Sequence, residues 1–496
     1  MLSFGFHLKY LWYKFSEIVW QALISGKATS PLLKFTLLSF FKLNDPFRLI
    51  GIGIYILLLS VLYLVFQPFA ITSPQLSWIL LGERLSDGYF LYQDIIDDNG
   101  PLSAGFFSFV DVLFGRNFIV YEIIGRFLIL LQILYWNAQL IKFRAFDVNT
   151  YLPAIIMAAL FHFSFDMLSL SPALLGSCFL ILALGQLFSQ TVLQKDSSES
   201  TLLIGIYAGL ATGFHPNYIL FLPYMIFTGI AISGFTFRQL LLSLVGYFLP
   251  LLLISLFYFW NNGLDEAIKI WPMIFLSEKY NFQSLTAWLI LGSFPLLLSF
   301  VGYFMATVLR GSTINQQKQR QLIILWLIFS VLEFFIMKKQ AAFQLVILIP
   351  GLSYMITHFF LTIKKEVIAE IAFYLLILGL PVTAWFYWQH ATSEHDYFVH
   401  QTSAKYPPNI MVMGDDLSPY LHSSLGGPFL NYSLSRLYLQ NDKDLGEKAK
   451  LFQLLENQKA TMILDPHGIF GVILKKFPAL EIQYIETKPG EYTLIK

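Results

Sequence analysis

The sequence predicts an all-α polytopic membrane protein of about eleven transmembrane helices, followed by a small C-terminal α/β domain. Three observations carry this. Hydrophobic residues fill 56% of the 496 positions and charged residues only 13%, about half the charge of an ordinary soluble domain. The apolar residues fall in long runs, many near the roughly 20 residues that cross a bilayer. From residue 389 onward, charged and turn-forming residues return. The 49 Phe residues raise the aromatic share to 17%, more apolar surface than one soluble core can hide.

Composition also excludes functions. A net charge of +1 provides no global field for nucleic acid. The single cysteine, Cys178, cannot form an internal disulfide, and no zinc-ligand spacing is present.

The elements follow in order. Residues 1–47 form a cytoplasmic N-terminal segment without an ordinary cleavable signal peptide. Within it Leu8, Leu11, Trp12, Phe15, Val19 and Leu23 recur at helix spacing, flanked by Lys9 and Lys14. This amphipathic helix lies either on the membrane surface or against neighbouring helices. Residues 48–388 form the transmembrane domain. Candidate spans are 49–69, 118–141, 152–167, 172–193, 201–214, 217–234, 239–260, 285–309, 321–337, 342–361 and 367–388. Only His215-Pro216 separates 201–214 from 217–234, so the pair is one kinked helix or a tight hairpin.

With the N-terminus in the cytoplasm, the inner segments carry 15 Lys and Arg residues. The outer loops carry six: Arg84, Arg116, Lys269, Lys279, Lys338 and Lys339. This asymmetry fits the positive-inside rule. An odd number of spans places residues 389–496 outside, and the protein in the cell (inner) membrane. In that domain, Asn409–Met413 reads as a buried strand followed by a turn at Gly414-Asp415-Asp416. Glu447–Asn457 reads as a helix, with Thr461–Leu464 and Glu491–Ile495 as further strands. No Gly-rich phosphate loop follows the first strand.

The longest outer loop, 68–117, is the acidic one, with Glu83, Asp87, Asp94, Asp97, Asp98 and Asp111. Its centre reads Tyr92-Gln93-Asp94-Ile95-Ile96-Asp97-Asp98-Asn99-Gly100-Pro101-Leu102. On a helical turn Asp94 and Asp97 would share a face. Paired carboxylates can take a proton from a hydroxyl or hold a divalent cation; the same residues also make a good turn. EF-hand spacing is absent. Leu102–Phe114 is apolar but too short to span, as expected for a helix riding on the interface. Arg126 lies inside the second span, with Glu122 one turn before it, so it is either an intrahelical ion pair or a functional charge.

Several of these stretches resemble the GT-C superfamily of membrane glycosyltransferases. The closest branch holds bacterial protein mannosyltransferase and lipid A aminoarabinose transferase relatives. The resemblance begins with Gly82-Glu83-Arg84-Leu85-Ser86-Asp87-Gly88, continues through Tyr92-Gln93-Asp94-Ile95-Ile96-Asp97 and Pro101-Leu102, and closes the loop at Phe114-Gly115. Arg126 matches an Arg in the early turns of the following span. Gly209–Pro216 is similar to the family's helix break, and Asn262-Gly263-Leu264-Asp265-Glu266 to a later turn. Lys338–Gln344 with Pro350 is similar to a basic outer turn. The match covers roughly residues 48–496 and rests on the order of short motifs.

The resemblance implies sugar transfer from a polyprenyl-phosphate donor to a lipid, glycan or protein acceptor outside the membrane. It implies Asp94 and Asp97 as catalytic carboxylates. Arg84, Lys338, Lys339 and Arg126 would bind the donor phosphate. Tyr92, Asp98 and His215 would position the loop or the acceptor. No cofactor is certain, and a divalent cation stays open. The chain departs from the family pattern at 70–76, where no carboxylate follows the first span. It departs again at Asn99-Gly100, where the family often has His, and at Leu170–Ala173, which lacks a Glu. Either Asp94 and Asp97 carry the chemistry, or the chain is a non-catalytic relative serving assembly or lipid binding. A transporter or flippase is the third reading, with His215, Arg126, Asp166 and Glu333 as its ionisable residues.

Two smaller patterns remain. Asn431-Tyr432-Ser433 is a glycosylation sequon, meaningful only in a secretory-pathway host. His422 and His467 lie near Asp415, Asp416 and Asp465, but their spacing fits turns better than a metal site.

Overall fold

The computed structural model describes residues 36–66, 71–193, 198–277, 280–281, 285–308, 311–391, 397–400, 405–440 and 445–495. The expected N-terminal amphipathic helix lies outside the described residues, apart from a short helix α1 (Leu37–Lys42) that follows it.

The chain is mainly helical. In order come α2 (Arg48–Phe66), α3 (Ser73–Ser86), α4 (Pro101–Phe114), α5 (Phe118–Lys142), α6 (Leu152–Phe161), α7 (Pro172–Leu193) and α8 (Ser198–Phe214). Then follow α9 (Phe221–Thr228), α10 (Phe237–Trp260), α11 (Leu264–Leu276), α12 (Leu285–Val308), α13 (Ile314–Ile336), α14 (Ile349–Thr362), α15 (Glu366–Tyr374) and α16 (Leu380–Ala391). Eight helical stretches among the described residues are long and apolar enough to cross a membrane. These are α5, α7, α10, α12, α13, and three composite stretches: Pro216–Ser233 around α9, Ala342–Thr362 ending in α14, and Glu366–Gln389 through α15 and α16. Helices α2, α4 and α6 are apolar but shorter.

Helix starts have a local chemical cause. Thr72, Thr236 and Thr313 each accept a hydrogen bond from the backbone of a Gln three residues on, while that Gln's side-chain oxygen accepts one from the cap's N–H. The last of these starts α13 seven residues before the expected span, because Gln316, Gln317, Lys318 and Arg320 hide its first turns from hydropathy.

The expected span 152–167 is corrected. Its helix stops at Phe161, about 15 Å long, and the chain continues through a 3₁₀ turn at Phe165–Leu168. Within that turn the buried Asp166 accepts hydrogen bonds from Tyr397 Oη at 2.6 Å and Phe343 N at 3.1 Å. A continued helix would break both.

The two stretches flanking His215-Pro216 form a hairpin. Along α13, His215 meets Glu333, Phe221 meets Trp326, and Tyr224 bonds Leu322 O. This order runs antiparallel to α13; and since Gly205 meets Ser243, Gly209 meets Tyr247 and Gly213 meets Ile254, α8 and α10 run parallel and the stretch between them runs back. Pro216, with no N–H to offer, opens the second arm. Helices α8 and α10 approach closely because a Cβ at Gly205 or Gly209 would collide with the Ser243 and Tyr247 carbonyls. Small residues at four-residue spacing allow such contact in apolar surroundings.

The C-terminal region builds a five-stranded mixed sheet. Two-residue strands β1 (Tyr280–Asn281) and β2 (Lys339–Gln340) pair separately, between the helices. The sheet itself holds β3 (Asn409–Val412), β4 (Ser424–Leu425), β5 (Met462–Leu464), β6 (Tyr484–Lys488) and β7 (Glu491–Leu494) in the order β4-β3-β5-β7-β6. Strands β3, β4 and β5 are parallel; β7 is antiparallel to β5 and β6. Helices α17 (Tyr432–Gln440), α18 (Leu445–Asn457), α19 (Ile469–Lys476) and α20 (Pro478–Glu481) pack around it. The expected strands and the Glu447–Asn457 helix are present here; β4, β6, α17 and α19 are additions.

Candidate functional site

The acidic loop is not helical at its centre. Residues 89–99 form a tight irregular turn, so Asp94 and Asp97 do not share a helix face. Tyr92 holds it together. Its backbone takes the left-handed region at φ 70°, uncommon for a bulky residue. Its N–H donates to Ile95 O at 2.7 Å and its hydroxyl to Asn99 O at 2.6 Å. Its ring stacks on Tyr258 of α10, centroids 5.7 Å apart. Burial pushes the Tyr92 hydroxyl well above its ordinary range, so it stays a donor.

The two carboxylates have different surroundings. Asp97 is buried and accepts from the Asn99 backbone at 3.3 Å and from its side-chain amide. Asp94 is half-buried. One of its oxygens accepts from Phe90 N at 2.8 Å, and the other has no partner among the described residues. Asp98, beside them, acts electrostatically on His215.

The turn then meets the helix break. A Cβ on Gly100 would collide with the Gly213 and Phe214 carbonyls, and Ser103 Oγ donates to Phe214 O at 2.6 Å. His215 follows directly. Its Nε2 lies 3.9 Å from Glu333 Oε1, and Asn217 Nδ2 is 3.5 Å away. Glu333 is fully buried, and neither carboxylate oxygen has a hydrogen-bond partner among the described residues. A third segment closes the group. A Cβ at Gly263 would lie 2.8 Å from Gln93 Oε1. Three motifs far apart in sequence, around Asp94, His215 and Gly263, therefore converge.

The expected cations behave differently from one another. Arg84 is buried, bonds Gln458 Oε1 at 2.8 Å, and stacks over the Tyr89 ring at 3.6 Å. Arg126 is paired within α5 to Glu122 and bonds Ser60 Oγ at 2.8 Å; Glu122 also takes Gln75 Nε2 at 3.1 Å. Lys338 is half-exposed beyond α13, and no carboxylate among the described residues pairs with it. The Lys339 backbone pairs in β2; its side chain lies outside the described residues. The turn thus gathers Tyr92, Asp94, Asp97, Asp98, Arg84 and His215, while Arg126 is held in its own helix.

Beside the turn lies an apolar cavity of about 580 Å³. Tyr89, Phe90 and Leu91 wall one side, with Pro101 and Leu102. Leu210 of α8 and Leu253 and Phe257 of α10 wall the other. These wall residues flank Asp94–Asp98 in sequence, at Leu91 on one side and Pro101 on the other, while the carboxylates themselves are not among the lining residues.

No protein-family model and no curated protein matches this chain. Among the described residues, no group of three or more His, Cys, Asp or Glu side chains is placed to hold a metal ion. In the C-terminal region Asp465 caps α19 through Ile469 N and Phe470 N. Asp416 accepts from Ser418 N, and His467 stacks on Tyr432 at 4.9 Å. Asn431 is buried and accepts from Leu434 N. Each of these serves a turn, a cap or a stacked pair. Sequence reading missed Gln93, Tyr258 and Gln458 at the site. Glu333 was legible as an intramembrane charge, but not its place beside His215.

Proposed function

We propose that this protein transfers a sugar from a polyprenyl-phosphate donor to a lipid, glycan or protein acceptor at the outer face of the inner membrane. The single observation that supports it most is the apolar cavity whose walls bracket the Asp94–Asp98 turn. In this reading an isoprenoid chain fills that cavity and its phosphate end reaches the neighbouring turn, where one Asp94 oxygen has no hydrogen bond among the described residues.

The chemistry balances with residues at hand. The acceptor hydroxyl oxygen bonds the sugar's anomeric carbon, and its proton passes to Asp94. The bond from that carbon to the phosphate oxygen breaks, and polyprenyl phosphate departs with the electron pair. Lys338, which no carboxylate pairs with among the described residues, is the cation this reading assigns to steady that phosphate. Arg84 bears on the cavity through Tyr89, which lines it. The topology that goes with this reading has eleven passes. Helices α2 and α8, and the segment made of the short α6 with the 3₁₀ turn Phe165–Leu168 that continues it, are added to the eight long stretches, with the N-terminus in the cytoplasm and the C-terminal domain outside.

A second reading is a non-catalytic relative that binds lipid or assists assembly. It is favoured by Asp97, Arg84 and Arg126 all being engaged within the protein. Proteoliposomes carrying wild type or Asp94→Asn, given a panel of labelled polyprenyl-phosphate sugars and total membrane acceptor, decide between them. Transfer that falls at least roughly a hundredfold in the variant supports the enzyme. Absence of transfer from a folded protein that binds polyprenyl phosphate supports the second reading.

A further inference from the structure

The backbone of the acidic turn is bonded across to the C-terminal domain. Asp94 O accepts from Gln458 Nε2 at 2.8 Å. Ile96 N donates to Pro428 O at 2.7 Å, and Ile96 O accepts from Asn431 N at 3.3 Å. Gln458 itself is buried, and its Oε1 accepts from the buried Arg84. One amide therefore joins the end of α3, the carbonyl of Asp94 and the exit of α18.

Further bonds brace this joint. Arg116 donates to the carbonyls of Tyr420 and Ser423 and pairs with Glu83 at 2.5 Å. Lys450 pairs with Glu266 of α11 at 2.8 Å, and Lys269 pairs with Glu447. Of all these contacts, those of Gln458 and Ile96 alone reach the turn's backbone next to Asp94.

We propose that the C-terminal domain is a working part of the site and that Gln458 is its positioning residue, fixing Asp94 through the hydrogen bond to its carbonyl. The side chain of Asp94 is tethered by Phe90 N and its main chain by Gln458 Nε2, so its free oxygen has one defined direction. Loss of the amide removes the partner of the Asp94 carbonyl, leaving Asp94 N–H on Phe90 O at 2.8 Å, while every group on the transfer path remains. The effect on catalysis rests on the reading of Asp94 as proton acceptor; the tether does not.

The test uses full-length protein in lipid nanodiscs, comparing wild type, Gln458→Ala and Gln458→Glu. The Glu variant keeps the size and the bond to Arg84 and replaces the donor to Asp94 O by an acceptor oxygen, so it serves if the Ala variant does not fold. Amide hydrogen exchange over residues 90–98 is expected to quicken roughly fivefold or more in both, the loss of about one hydrogen bond. Peptides from β3, β5 and β7 should not change. Sugar transfer is expected to lose roughly 10- to 100-fold in kcat, as a small displacement of a reacting group does, with KM for the donor unchanged. Unchanged exchange at 90–98 overturns the proposal. So does quickened exchange with full kcat in a wild type that transfers sugar. Quickened exchange in a protein whose wild type transfers nothing upholds the tether and removes the reading of Asp94 as proton acceptor.

Discussion

His215 Nε2 lies 3.9 Å from Glu333 Oε1, at the point where α8 turns back into α9. The imidazole faces a carboxylate that has no hydrogen bond among the described residues. A buried carboxyl without a partner is destabilising by about 1–3 kcal/mol, and such groups persist where function keeps them. Replacing it by an apolar side chain of similar volume should therefore stabilise the fold. Glu333→Met is expected to gain about 1 kcal/mol or more in unfolding of the purified protein, and to lose transfer if the pair takes part in it. A loss of stability of that size would mean that Glu333 is satisfied after all.

The contact between the acidic turn and the helix break predicts a second effect. Gly100 has no room for a Cβ between the Gly213 and Phe214 carbonyls. These are backbone atoms at a helix end and cannot rotate aside as a side chain would. Gly100→Ala should cost about 1–3 kcal/mol by overpacking, and should push the turn away from His215. Thermal unfolding in detergent checks the first part. A variant as stable as wild type would show that the two segments part easily.

Much of the helical frame was legible because hydropathy over 20 residues reports burial in lipid directly. The span expected at 172–193 coincides with α7. The failures have local causes. Residues 152–167 are apolar, yet the Asp166 bonds to Phe343 and Tyr397 come from residues far ahead in the chain. Strand β6, Tyr484–Lys488, is largely exposed and lacks an alternating pattern. At the site, the motifs around Asp94, His215 and Gly263 could be picked out singly, but their meeting depends on tertiary packing. Gln458 carried no signal, since an isolated Gln between a helix and a strand looks like any surface residue.

The pairing of Glu83 with Arg116 predicts a pH effect. Burial raises the Glu83 carboxyl above its ordinary 4.5, and the Arg116 charge opposes this only in part. The folded protein thus holds the proton to higher pH than the unfolded chain does. Stability from this group is fully present below 4.5 and is lost as pH rises through the raised value. Glu83→Gln removes that titration, so the fall of Tm with rising pH in this window should flatten. An unchanged slope would assign it to other groups.

Tyr92 predicts a loss that depends on a single hydroxyl. Its bond to Asn99 O closes the turn from inside, in a place with no access to water. Tyr92→Phe keeps the stack on Tyr258 and leaves the Asn99 carbonyl unsatisfied, at a cost of about 1–3 kcal/mol. Unfolding measurements should show that loss. An unaltered midpoint would mean that the left-handed backbone, rather than the hydroxyl, holds the turn closed.

The cavity gives the sharpest separation between lipid recognition and fold. Leu210 stands in its wall, across from Phe90 and Pro101. A larger ring at this position enters empty space rather than packed atoms, so it fills the cavity without removing any hydrogen bond of the turn. Leu210→Trp should leave thermal stability within about 1 kcal/mol of wild type. If an isoprenoid chain occupies the cavity, the variant should bind polyprenyl phosphate at least roughly tenfold more weakly, the equivalent of about 1.4 kcal/mol of lost apolar contact. Binding of labelled polyprenyl phosphate to the protein in nanodiscs measures this. Equal affinity in the two proteins would place the lipid chain elsewhere and would take away the observation on which the transferase reading rests.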